Sequence, residues 1–215
     1  MNRTFLILLM IGTAMMIAVI GQHEEARQLD TMPWQVDKLE NGSLRVFGLT
    51  LGKTSIQEAN QLFARFGKNQ FQIHTDENNH QTFELFTLYN DLTFGGLQAS
   101  IKLTYQINHP DLEKIYRSLQ ELDENFDISK TKHKIVVLDI NSEIEMKYLS
   151  YPISSITYTP SIDYGLDAIR QNFGPAAKEK KINDELQIWS YPKMGLKIYI
   201  HQTELDQFIY NQSAD

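Results

Sequence analysis

Apolar positions follow two arrangements along this chain of 215 residues. The first is a continuous run from Phe5 to Ile20, with no charge and a single hydroxyl at Thr13. Met1-Asn2-Arg3-Thr4 precedes it, and Gln22-His23-Glu24-Glu25 comes directly after. With Gly21 the run spans about seventeen residues, the short end of what a helix needs to cross a bilayer. It reads either as an uncleaved transmembrane anchor over residues 1–21 or as a long secretory signal, with Val19 and Gly21 as the small residues before a cleavage at Gln22. The basic flank lies ahead of it, so the remainder of the chain is expected across the membrane from Arg3. Residues 22–32 are polar and read as a short tether.

In the second arrangement apolar residues recur at strand or helix spacing. Trp34 to Leu39 and Leu44 to Phe47 flank Asn41-Gly42 and predict a hairpin. Ser55 with Glu58 forms a capping box, opening a helix that aligns Ile56, Ala59, Leu62, Phe63 and Phe66 and stops at Gly67. Strands are expected over Gln70–His74, Thr82–Leu88 and Leu97–Ile107, the last alternating most regularly. Pro110 starts a second helix with the stripe Leu112, Ile115, Tyr116, Leu119 and Leu122. A strand at Lys134–Leu138, a helix capped by Asn141 or Ser142, a strand at Ser155–Thr159 and a helix over Asp163–Phe173 come next. The tail is a meander: Lys178–Ile182, Leu186–Tyr191, Leu196–His201 and Gln207–Tyr210.

A loose repeat accompanies these elements. Phe66-Gly67 and Phe173-Gly174 each end a helix that feeds antiparallel strands. Residues 33–128 and 129–215 therefore read as related helix-plus-sheet halves packed as one body, or as a coincidental reuse of a common helix stop.

Composition narrows the function classes. The chain has no cysteine and a formal charge of −7. Arg3 is the only charge in the first twenty-one residues, so the remainder is one unit more acidic than the whole. Such a domain repels phosphate backbones, and no nucleic-acid partner is expected. Disulfides and thiol nucleophiles are excluded. No serine lies in a nucleophile elbow, and Gly95-Gly96 lacks the remainder of a phosphate loop.

His74-Thr75-Asp76-Glu77-Asn78-Asn79-His80 gathers two imidazoles and two carboxylates. If Asn78-Asn79 tops a hairpin, His74 and His80 face each other and share a metal with Asp76; the alternative is a solvated turn. No catalytic residue and no cofactor are expected. Ten tyrosines, eleven phenylalanines and two tryptophans are the other group of note. Tyrosines crowd the second half, where an exposed set around Trp189 would make an interface hot spot, and a plain sheet surface would use them equally.

At Phe173-Gly174-Pro175 followed by Trp189-Ser190-Tyr191, the segment from Asp163 to Tyr199 resembles the SmpA/OmlA type of outer-membrane-assembly lipoprotein domain. Those domains pair a short helix ending near Gly-x-Pro with a strand carrying aromatic-x-Tyr. This chain lacks the lipidated cysteine of that family. Over nearly the whole exported part, Pro33-Trp34-Gln35, Arg45-Val46-Phe47-Gly48-Leu49-Thr50-Leu51-Gly52, Thr157-Tyr158-Thr159-Pro160 and Tyr191-Pro192 with Gly195-Leu196 look similar to a group of uncharacterised proteobacterial exported proteins. Those too begin with one hydrophobic segment. The likeness implies a Gram-negative envelope location and brings no activity and no site residues.

The expected fold is thus α+β: an N-terminal transmembrane helix, then a periplasmic domain of antiparallel sheet with about four helices. The expected location is the inner membrane, single-pass through residues 5–21, or the soluble periplasm if the segment is cleaved. Binding another envelope protein, through an aromatic-rich sheet face or an exposed edge strand, is the leading expected function. A metal or small-ligand site at His74, Asp76 and His80, or a hydrolase, is the alternative.

Overall fold

A computed structural model describes residues 29–122 and 135–212. Strands β1 (Val36–Lys38), β2 (Leu44–Val46) and β3 (Leu49–Thr50) form a small antiparallel sheet. Helix α1 (Ile56–Phe63) leads into β4 (Lys68–Thr75), β5 (Gln81–Phe94) and β6 (Leu97–Tyr105). After α2 (His109–Leu122) come β7 (Ile135–Asp139), α3 (Ser142–Tyr148), β8 (Ile153–Pro160) and α4 (Leu166–Phe173). The chain closes with β9 (Lys178–Lys181), β10 (Leu186–Tyr191), β11 (Leu196–His201) and β12 (Gln207–Asn211).

Nine of these strands join in one antiparallel sheet, ordered β7-β4-β5-β6-β8-β12-β11-β10-β9. Alternating direction makes β7 parallel to β8, and β8 parallel to β9. Parallel strands cannot be joined by a hairpin, so each pair needs a crossover. Helix α3 supplies the first and α4 the second, and both lie on the same face of the sheet. Asn69 of β4 donates to Glu145 of α3 at 2.8 Å. Phe173 of α4 stacks on Phe208 of β12 at 5.5 Å. Tyr116 of α2 stacks on Phe83 of β5 at 4.9 Å, and Phe63 of α1 meets Tyr89 edge-on at 5.0 Å.

The strand pleat sorts the residues accordingly. Phe71, Leu85, Ile101, Tyr158, Phe208, Ile198 and Trp189 point into the helical layer and are buried. The opposite parity faces solvent, with Phe86 sheltered beneath Lys102. Lys68, Lys102, Lys197 and Lys178 fall in one cross-strand row with Leu88, Thr157, Ile209 and Ser190. Every helix-to-sheet contact named above belongs to the first face. The aromatics expected near an exposed Trp189 are core instead: Trp189, Tyr158 and Tyr210 have 0% exposure and Tyr148 has 2%. Rings bury more apolar area than any other side chain, and a two-layer body closed on one side needs that area between its layers.

Local signals behave as the sequence suggests, with exceptions that have physical causes. Ser55 accepts from the Glu58 amide at 3.2 Å, while Glu58 accepts from the Ser55 amide at 2.7 Å. Ile56, Ala59 and Phe63 are buried. Ala64 then enters the left-handed region (φ 49°, ψ 36°), so α1 ends before Phe66-Gly67, and Phe66 is 87% exposed rather than on the core stripe. A second tight turn, Phe47-Gly48, has φ of 54° and 79° and joins β2 to β3. The Phe47 ring stacks on Tyr158 at 5.2 Å, which holds a bulky residue in that conformation. The body takes up the chain by Leu29, whose amide donates to Thr93 O at 3.0 Å and whose carbonyl accepts from Gly95 at 2.8 Å.

The fold class inferred from sequence needs correction. Strand makes up 44% of the structure, so this is a sheet protein with, among the described residues, four helices laid on it. The two expected helix-plus-sheet halves share a single sheet. Strand β8 bonds to both β6 and β12, and β7 adds to β4, so residues from both sides of the supposed boundary complete one sheet. The shared aromatic-glycine stop fails because only α4 uses it, at Gly174. The expected transmembrane helix falls in residues 1–28, outside the described residues. Among the described residues no helix is long and apolar enough to cross a membrane.

Candidate functional site

The hairpin between β4 and β5 does bring His74, Asp76 and His80 to one end of the sheet. Thr75 pairs with Gln81 and His74 with Thr82. Asp76 donates its amide to His80 O at 3.0 Å, and Asn79 takes the positive φ (62°) that closes the turn. The Asp76 carboxylate is committed to that turn: Oδ1 accepts from the amides of His80 and Asn78, each at 2.8 Å. The His80 amide above all, with that of Asn78, holds its carboxyl below the usual carboxylate range. His74 and His80 are exposed. Among the described residues no group of three histidine, cysteine or carboxylate side chains could hold a metal ion. The geometry is that of a fastened surface turn.

Two other features have functional potential. One is a cleft of about 320 Å³ where the start of α4 meets the ends of β10, β11 and β12. Four carboxylates line it: Asp163, Asp184, Glu185 and Asp206. Asp206 is 2% exposed. Its Oδ1 accepts from the His201 amide at 3.0 Å, and its Oδ2 is shut off from solvent with no hydrogen-bond partner. Burial pushes its carboxyl upward and the charge of Asp163 adds to this, against the His201 amide, which pulls it down. Asp163 caps the Gly165 amide at 2.7 Å, covering part of the positive start of α4. Asp184 is held by Lys181 at 2.7 Å.

The second feature is the contrast between the two borders of the sheet. Strand β9 reads Lys178-Glu179-Lys180-Lys181, is exposed throughout, and ties back through Arg170–Glu179 at 3.4 Å. Charged residues of this kind discourage another strand from pairing. Strand β7 reads Ile135-Val136-Val137-Leu138-Asp139 and carries no lysine. Ile135 is 54% exposed and Val137 46%, both on the solvated face opposite His74 and Gln72. Its one charge, Asp139, is paired with Lys68 at 2.8 Å and accepts from Gln70 at 2.9 Å.

Sequence reasoning expected an exposed edge strand without saying which, and did not reach the cleft. Asp206 looks like one acid among many, although it shares strand parity with Phe208 and Tyr210, which signals an inward side chain. Phe173 packs against Tyr191 at 5.8 Å, and the Tyr191 hydroxyl donates to Gly174 O at 3.2 Å. No family model matches the chain, and no curated protein or solved structure matches it either.

Proposed function

We propose that this chain is a non-catalytic protein-binding module of the cell envelope, and that it holds an extended segment of another envelope protein along the outer edge of β7. The apolar run Phe5–Ile20 behind Arg3 supports delivery to the far side of a membrane. The carrying observation is the unequal protection of the sheet borders. β9 is armed with lysine, whereas among the described residues β7 offers unblunted main chain beside exposed Ile135 and Val137. In strand addition the main chain supplies affinity, and alternate side chains supply selectivity. Here Ile135 and Val137 would meet apolar residues at every second position of the partner.

The absence of cysteine makes the test direct. Single Val137→Cys and Lys180→Cys variants of the full chain are labelled with a thiol-reactive benzophenone and irradiated in native envelopes. Position 137 is expected to give a discrete adduct with one envelope protein, and position 180 none. Adducts from neither position, or equally from both, overturn the reading.

A further inference from the structure

We propose that the open cleft beside the β1–β2 hairpin is a binding site for a neutral saccharide, held by Trp34, Gln35, Asp37 and Arg45. This site is separate from the β7 edge and does not rest on it. The cleft has a volume of about 480 Å³, and all four side chains line it. Two independent observations converge there. Trp34 is partly exposed, and its ring neighbours Tyr164 and Phe173 meet it at steep angles of 68° and 86°. Among the described residues no aromatic ring lies flat against it. The other observation is a charge pair that is not made. Asp37 and Arg45 stand directly opposite across β1 and β2, where opposite charges ordinarily join. Arg45 turns instead to its neighbour on β3, its Nε donating to Thr50 Oγ1 at 3.4 Å. Asp37 keeps no ion pair or hydrogen bond among the described residues.

The chemistry of these groups selects the ligand. An anion drawn to Arg45 is opposed by Asp37, and a cation drawn to Asp37 is opposed by Arg45. A hydroxyl both donates and accepts, so adjacent hydroxyls of one sugar ring answer a carboxylate and a guanidinium together. Gln35 adds a further donor. Its Oε1 accepts from the Met32 amide at 2.8 Å, which holds the carboxamide in place and leaves its NH₂ group to donate. Groups fixed beforehand lose less freedom when a ligand arrives. Trp34 supplies the apolar side of the contact, because the weakly positive C–H edges of a sugar settle on the negative face of an aromatic ring. The volume of about 480 Å³ falls within the range of small-molecule sites. An amino-acid zwitterion also answers both charges, but its head group has no apolar face to offer the indole.

The experiment is a fluorescence titration of the full chain, kept in a polyoxyethylene detergent that carries no sugar. The probes are chitotriose, maltotriose and glycine. Trp189 has 0% exposure, so a ligand-dependent change in emission reports on Trp34. A saturable change with at least one of the two sugars, and none with glycine, is expected. Asp37→Ala, an exposed change that removes no hydrogen bond or ion pair, is expected to weaken sugar binding at least about tenfold. Arg45→Ala, also at an exposed position, is expected to weaken it in the same direction. No saturable change with either sugar overturns the proposal. So does saturable binding of glycine, or a sugar affinity unchanged in either variant.

Discussion

The Tyr210 hydroxyl donates to the carbonyl of Pro33 at 2.5 Å, joining the last strand of the chain to the segment before β1. Tyr210 is fully buried, and burial drives its phenol well above the ordinary tyrosine range, so it acts as a neutral donor. Next to it Trp34 packs edge-on against Phe173 at 6.0 Å and Tyr164 at 6.5 Å. Tyr210→Phe keeps the ring and strands the Pro33 carbonyl. A loss of about 1–2 kcal/mol in unfolding free energy is expected from urea titration followed by tryptophan fluorescence.

Gly195 closes the turn between β10 and β11 with φ of 57°. A Cβ there would overlap Leu44 Cδ1 and the carbonyl oxygen of Asn211, whose amide donates to Gly195 O at 2.9 Å. Backbone on one side and a buried leucine on the other leave no room to give. Gly195→Ala is expected to cost about 3 kcal/mol or more, combining left-handed strain with overpacking, as measured by the denaturation midpoint. Gly42, at a comparable φ of 81° but with open space around it, should lose much less as alanine.

Asp206 gives the protein a distinctive pH response. Its folded-state affinity for the proton is raised above the ordinary 3.8, so between those two values the native state holds more protons than the unfolded chain. Stability from this residue is therefore greatest at acid pH and falls as pH rises through that window, then levels off. Asp163 and His201 act on the same carboxyl in opposite directions. Asp206→Asn removes the titration and keeps an acceptor for the His201 amide. The wild-type-minus-variant difference in melting temperature should decline with rising pH and plateau near neutrality. A flat difference would refute the assignment.

Zinc, copper and nickel are expected to leave the melting temperature unchanged, because Asp76 is already committed to its own turn. Binding to the native state must raise stability, so a saturable rise lost in His74→Ala and His80→Ala would return the hairpin as a metal site.

Much of this architecture is local and legible in the sequence. The Ser55–Glu58 box, Pro110 near the start of α2 and the alternation through β6 depend only on near neighbours. Sheet order does not. Nothing near Ile135 says that β7 crosses to pair with β4, and nothing near Tyr158 says that β8 stands between β6 and β12. That order is set by which apolar faces meet in space, and it merges the two expected halves into one sheet. Phe66 leaves the helix for a related reason: apolar spacing continues past Ala64, where the backbone has already reversed hand. The candidate sites are least legible, since the burial of Asp206 depends on α4 being laid across strands far along the chain.

The lysines of β9 have a consequence for assembly. Among the described residues, a nine-stranded sheet able to grow at one border and barred at the other cannot propagate copy after copy through those borders, because the first arrival seals the open one. Any association through β7 therefore stops at a fixed stoichiometry, without fibres, even when the protein is crowded.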